Sequence, residues 1–414
     1  MPACVGPPPP NAAGAGLLRS APGFRSLWLS RTVSLVGDGI GRVALVLLAA
    51  RAGPAAVSLV LLANTVPRFL GPLAGALADR VEQRRLMALC ELGQAVVIGL
   101  VAFLLPPLVV LVPLVAVAGL LATAFVPAGR SAVPALVATP HLTRANALLS
   151  TALNLQVALG AALGGLAVAW AGPRWAFAAD AATFVVSAAL LSRLPRLDPP
   201  GTGRPPTSLL GDTVAGLAYV AHTRQPRALV LGLLLVVSFA AVDNVALVFL
   251  VQGSLGGSAS AYGATQACFG VGMLAASLTL ARTRSRQPPS TLLLGGVVAT
   301  AAGTMLTGLA PSVGVAAATQ VLAGTGNAAE NIAEDTLVQR LVPRGMLGRV
   351  FGATATAAQA GSGIAYAASG LLLAVVSPRA VFLIAGAGVL AALGVLLPVL
   401  GQASQRPRSA GPQP

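Results

Sequence analysis

Apolar residues run along the chain in stretches separated by short segments where Arg, Pro and Gly gather. Twelve runs stand out, near 27–50, 55–78, 86–105, 108–128, 146–170, 175–194, 227–251, 260–281, 290–310, 313–333, 351–376 and 380–400. A bilayer core about 30 Å thick takes roughly 20 residues of helix to cross, so each run predicts one membrane span. The breaks at 106–107 and 310–312 are the shortest of the divisions. The fold expected is all-α, with twelve transmembrane helices.

The longest interior break divides these spans six and six. It covers 195–226, opens on PRLDPPGTGRPP, and continues as TSLLGDTVAGLAYVAHTR. In the second part Leu209, Leu210, Val214, Leu217 and Val220 recur at the spacing of an amphipathic helix lying on the membrane surface. The expected organisation is a disordered Pro-rich tail (1–23), a six-helix bundle (24–194), the linker with its surface helix (195–226), a second six-helix bundle (227–400) and a tail (401–414). Two landmarks repeat in similar register. Asp38 and Asp243, each inside a span, are 205 residues apart, and the loop prolines Pro140 and Pro343 are 203 apart. Such spacing predicts two related, pseudo-symmetric halves.

Composition narrows the class. Of 414 residues, 56% are hydrophobic and 9% charged, with a mean hydropathy of +0.84. A soluble domain carries roughly 25% charged residues, so the chain cannot coat a water-facing surface, and it is too apolar to remain disordered. The 47 Gly and 31 Pro suit membrane helices, where close packing and local breaks are tolerated.

The formal charge of +15 reads as orientation rather than as a nucleic-acid surface. All 26 basic residues are Arg; with the N-terminus inside, 20 fall in inner segments, three (Arg51, Arg174, Arg379) outside and three (Arg31, Arg42, Arg68) within spans. That asymmetry follows the positive-inside rule and predicts an inner-membrane protein with both termini cytoplasmic, its loop arginines meeting anionic lipid. There is no Lys, no phosphate loop, no HExxH and no GxSxG, and the three Cys and two His offer no metal-ligand spacing. Neither an enzyme nor a cofactor is expected.

The charged residues inside spans carry the candidate chemistry. Asp38 lies between Gly37 and Gly39, about eleven residues into the first span. Held out of water, a carboxylate there can exchange a proton and so draw on a gradient, each charge moved through 100 mV being worth about 2.3 kcal/mol. Its other reading is structural, as the fixed partner of Arg42 four residues on. Arg68, in the phrase TVPRFL, must face an acid or a cavity, and Asp38 is its natural partner. Asp243 and Asn244 occupy the middle of the seventh span, as cavity-lining residues or as core hydrogen-bonders. Glu91 is expected to lean toward the inner headgroups, and Asp180 to sit near the outer end of its span. Gly160 and Gly164, with Gly361, Gly363 and Gly370, would let helices approach and slide, or simply pack.

Three phrases resemble a known family. Gly75-Ala-Leu-Ala-Asp79-Arg80-Val-Glu-Gln-Arg84-Arg85, in the loop after the second span, resembles the G-x-x-x-D-R-x-x-R-R signature of the major facilitator superfamily, with Glu82 and Gln83 in a middle one residue longer. Gly160-Ala-Ala-Leu-Gly164-Gly165 is similar to the G-P-x-x-G-G antiporter signature of its exporters, with Ala161 at the Pro position. The phrases FRSLWLSRTVSLVGDGI, NTVPRFLGPLAGALADR and LVQRLVPRGMLGRVFG look like its enterobactin-exporter and macrolide-efflux branch.

The resemblance implies the major facilitator fold and a gating role for Gly75, Asp79, Arg80, Arg84 and Arg85, through contacts made in one access state only. Glu330, Glu334 and Asp335 with Arg340 and Arg349 would form the inner-gate counterpart in the second half. The expected function is export of a hydrophobic or amphiphilic small molecule by proton antiport with alternating access, without a cofactor. An importer or facilitator of the same fold, or a non-transporting receptor or scaffold, are the other readings.

Overall fold

A computed structural model describes residues 16–78, 80–138, 141–197, 218–282, 288–343 and 346–403. The described residues form helices joined by short turns, with no strand among them. The first stretch of chain gives α1 (Pro22–Ala50), α2 (Pro54–Thr65), a 3-10 turn (Val66–Leu70), α3 (Gly71–Ala78), α4 (Gln83–Leu104) and α5 (Leu108–Leu136). Next come α6 (Leu142–Leu155), which runs through a π-helical turn (Gln156–Gly160) into α7 (Ala161–Ala171), and α8 (Pro173–Leu191). After the linker follow α9 (Arg224–Ala240), α10 (Asp243–Val248) with a π-helical turn (Phe249–Ser254), and α11 (Ala259–Arg282). The last four are α12 (Pro289–Leu309), α13 (Val313–Leu341), α14 (Leu347–Val375) and α15 (Pro378–Ala403).

Local chemistry sets these boundaries. Gly172 takes φ +82°, a left-handed conformation that Gly adopts without strain, and ends α7; Pro173 then opens α8 at a position where its missing N–H is not needed. Ser312 caps α13 by accepting from the Val315 N–H at 3.4 Å. The two shortest divisions fall as expected, α4 ending at Leu104 before Leu108 and α12 at Leu309 before Val313.

Ten of the described helices are long and apolar enough to cross a membrane. The other two expected spans are helical but fall outside that description. The second is interrupted around the buried Pro67, which gives a 3-10 turn between α2 and α3. The tenth, α13, is 29 residues long and contains Gln320, Asn327, Glu330, Asn331, Glu334 and Asp335, which lower its hydropathy. The expected surface helix of the linker lies mostly outside the described residues; 218–222 is helical, and Val220 is buried.

Helix contacts gather the chain into two units. The first holds residues 1–45 and 66–205, and the second holds Val46–Thr65 with 206–414. In the first, α4 packs along α8 and α5, and an apolar core at one end unites Phe24, Leu27, Met87, Phe125 and Leu191. In the second, α13 packs between α12 and α11, α14 packs on α9 and α2, and Leu229, Val297, Ala333, Val338 and Val389 share a core.

Candidate functional site

Helix α1 presents three faces at 100° per residue. Arg31, Asp38 and Arg42 share one stripe; Ser30, Ser34, Gly37 and Gly41 form the next; Gly39 and Val43 look the other way. Each face meets a different neighbour, and together they fix Asp38 in the first unit.

The Gly39 face meets the π-turn that precedes α7. A Cβ on Gly160 would stand 2.8 Å from Gly39 Cα and 2.9 Å from the Val36 carbonyl, and one on Gly164 would stand 2.9 Å from Val43 Cβ. The Gly160-Ala-Ala-Leu-Gly164-Gly165 motif therefore lets α7 pack backbone to backbone on α1, one residue from Asp38. Gly164 and Gly165 are both buried. The π-turn at Gln156–Gly160 places an extra residue in the helix just before this contact.

On the charged stripe, Asp38 lies in the field of three cations, Arg31, Arg68 and Arg42. The Arg31 guanidinium carbon lies 4.9 Å from the centroid of the Phe125 ring in α5, within cation–π range. Arg42 is exposed on α1 and Arg68 is exposed in the 3-10 turn, whereas Arg31 is half-buried beside the aromatic ring, a third cation near Asp38 that the sequence did not single out as its partner.

The small-residue stripe meets α4 and α8. Ser30 and Ser187 hydroxyls pair at 2.7 Å, and Ser34 donates to Glu91 Oε1 at 3.2 Å. Asp180 lies against Gly37 and Gly41, with its Oδ1 2.9 Å from where a Gly37 Cβ would be. One expectation fails here: Glu91 is 0% exposed rather than turned to headgroups. Asp180 is 3% exposed, buried against Gly37 and Gly41 of α1. The sequence signal that bears on both is the 4-3-4 spacing of Ser30, Ser34, Gly37 and Gly41, a stripe on which polar neighbours can approach closely.

The second unit centres on Asp243, which opens α10 after a break at Ala241–Val242. Gln320, fully buried in α13, donates from Nε2 to Asp243 Oδ2 at 2.9 Å. Asn244 turns its amide back to the Ala241 carbonyl at 3.2 Å. Sequence reasoning missed Gln320, a lone amide in an otherwise apolar stretch of α13.

At the loop after α3, Gly75 lies within the helix and Asp79 lies outside the described residues. Arg80 is exposed in the turn. Glu82, which fills the variable middle of the motif, pairs with Arg84 Nε at 3.2 Å and Arg85 Nε at 2.7 Å, while Arg84 Nη1 donates to the Leu194 carbonyl at 3.1 Å. That last bond ties the start of α4 to the chain leaving α8.

The expected counterpart on α13 divides. Glu330 is 7% exposed, its stem against Gly296 of α12; Glu334 is half-buried, and Asp335 is exposed. Arg340 is exposed near the end of α13, and Arg349 Nη1 lies 3.3 Å from Met346 Sδ at the start of α14. Gly361 packs on Leu234 and Val237 of α9, and Gly370 on Ser58 of α2, whereas Gly363 has only Leu62 nearby, 4.0 Å from its Cβ position. Among the described residues no group of three or more His, Cys, Asp or Glu could hold a metal ion.

The chain is similar to known proteins over nearly its whole length. The family described as transmembrane secretion effector matches residues 18–400. The uncharacterized MFS-type transporter YfiS of Bacillus subtilis (strain 168) is 30% identical over 392 residues, which is 89% of this chain and 91% of that one. The enterobactin exporter EntS of Shigella boydii serotype 18 is 29% identical over 412 residues, 96% of each chain. Among solved structures, a POT family transporter in complex with a thioalcohol-conjugated peptide superposes with a TM-score of 0.75 at 10% identity, covering 92% of this chain and 97% of that one. An inward-facing, unoccupied bacterial homologue of the human lysosomal transporter Spinster gives 0.66 at 14%, covering 92% and 96%. At such identities the structures speak to fold alone.

Proposed function

The chain belongs to the major facilitator superfamily, and from that premise we propose that it exports a hydrophobic or amphiphilic small molecule, of the drug, macrolide or siderophore class, by proton antiport. As a member it is a multi-pass membrane transporter and not an enzyme. In this reading the proton gradient is the energy source, both termini are cytoplasmic in the inner membrane, and twelve spans form two six-helix halves joined by the 195–226 linker. The Arg distribution along the sequence supports the orientation.

The observation that carries the coupling assignment is the setting of Asp38. It is a carboxylate in the middle of a membrane helix, acted on by three cations and packed one residue from the glycine contact between α1 and α7. Protonation of Asp38 cancels its attraction to Arg31 and alters how α1 is held, which is how proton binding would bias two access states. Asp243 with Gln320, and Asn244 beside them, line the corresponding stretch of the second half. Glu82, Arg84 and Arg85 would hold the inner end closed in one state, with Asp79 and Arg80 as their neighbours. Glu334, Asp335, Arg340 and Arg349 are the inner-gate counterpart.

Export is favoured over import by the likeness to EntS across 96% of the chain. The test is uptake into everted membrane vesicles of enterobactin, a macrolide and ethidium, each with and without an imposed inward-acid gradient. Gradient-dependent accumulation of any one supports the proposal. Uptake of none, or movement only down the substrate's own gradient, refutes proton-driven export of this class.

A further inference from the structure

The α1–α8 seam contains two carboxylates that the coupling scheme leaves unused. The helices run antiparallel, so Ser30 meets Ser187, Gly37 meets Thr183, and Gly37 with Gly41 leaves room for Asp180. Glu91 enters from α4 beside Ser34 and Ser187. Both carboxylates are more than nine-tenths buried, and among the described residues Asp180 Oδ1 and Glu91 Oε2 have no hydrogen-bond partner.

The charges facing them differ. Glu91 is within reach of Arg31 as well as Asp38, whereas the charged groups acting on Asp180 are both acids, Asp38 and Glu91. An ionised carboxylate without a cation or donor is too costly to keep out of water, and such a group binds a proton instead. The glycine notch is shaped for the Asp180 side chain: the Gly41 Cβ position falls on its carboxyl group. The Thr183 hydroxyl is committed to the Asp180 carbonyl at 2.7 Å and so is not a donor to that carboxylate.

We infer that Asp180 is a second proton-binding site of this transporter, held in the Gly37–Gly41 notch of the helix that carries Asp38. The inference rests on the proton-antiport reading for its role in transport, but not for the binding of the proton itself. The proton attaches to an Asp180 carboxylate oxygen and is shared with no metal or cofactor. When it leaves, the bare carboxylate faces two other acids, and the α1–α8 contact is the element that responds.

Infrared difference spectroscopy on the purified full chain in lipid, between acidic and alkaline buffer and after deuterium exchange, reads protonated carboxyl groups directly. The wild type is expected to show a pH-dependent carboxylic-acid band that survives Asp38→Asn and is lost in Asp180→Asn. Gly41→Ala, which removes no titratable group, is expected to shift the same band and carries the test if the Asn variant does not fold. Spectra of Asp180→Asn and Gly41→Ala identical to wild type in this region overturn the inference. If Asp38→Asn keeps gradient-driven export while the Asp180 band is present, the coupling reading fails and the second site stands. If export depends on Asp38 and no band belongs to Asp180, the reverse holds.

Discussion

Replacing Gly160 by Ala probes the contact that positions Asp38 without touching a charge. The added Cβ would stand 2.8 Å from Gly39 Cα and 2.9 Å from the Val36 carbonyl oxygen, whereas ordinary contact begins at 3.4 Å. All three neighbours are backbone, so no side chain can swing aside, and the helices must separate by about half an ångström. Overpacking of this kind costs about 1–3 kcal/mol. The change also gains about 1 kcal/mol of helix propensity, so a control with the same gain and no clash is needed. Gly99, in α4, has nothing within 4 Å of its Cβ position. Thermal unfolding in a mild detergent, followed by tryptophan fluorescence, should therefore place Gly160→Ala below Gly99→Ala by about 1–3 kcal/mol. Adding Gly39→Ala should cost less than it does alone, because the two glycines share one contact. Equal stability of Gly160→Ala and Gly99→Ala would refute the backbone-to-backbone packing of α1 on α7.

Further outcomes follow from the same geometry. Arg31→Gln should reduce gradient-driven export more than Arg42→Gln, because Arg31 is the half-buried cation of the Asp38 stripe, held against Phe125; the opposite order in vesicle transport would make Arg42 the partner that matters. Gln320→Leu removes the 2.9 Å donor to Asp243 Oδ2 and should lower stability by about 1–3 kcal/mol through the acceptor left behind, measured by the same unfolding assay; no loss would mean the bond contributes nothing. Glu82→Gln removes the charge from both ion pairs while keeping the side chain's shape, and should cost about 1 kcal/mol. The same variant should raise the rate at which a cysteine introduced at the inner face reacts with a water-soluble maleimide, and an unchanged rate would remove Glu82 from the gate.

Much of the fold was legible in the sequence because lipid imposes a length and a composition on each span. The spans that escaped the simple rule are those where another demand wins. Pro67 breaks the second into two helices around a 3-10 turn, and α13 gives up hydropathy for the polar residues between Gln320 and Asp335. The site was legible in part. Asp38 stood out as an acid in an apolar run, but its neighbours depend on which helices lie against each face of α1. A rule based on separation by four residues points to Arg42; it is blind to Arg31, seven residues before Asp38 on the same stripe, which has the Phe125 ring beside it. Glu91 and Asp180 looked peripheral because distance from a span's end says nothing about burial. The Ser30, Ser34, Gly37 and Gly41 stripe that receives them has physical meaning only once α4 and α8 are placed against it.

The most direct test of the central claim takes a substrate that the wild type accumulates in everted vesicles under an imposed proton gradient and measures the same uptake for Asp38→Asn at equal protein level. Loss of gradient-driven accumulation, with substrate binding to the purified variant retained, is the result predicted for a proton-coupling carboxylate. Full gradient-driven accumulation by Asp38→Asn would contradict the account.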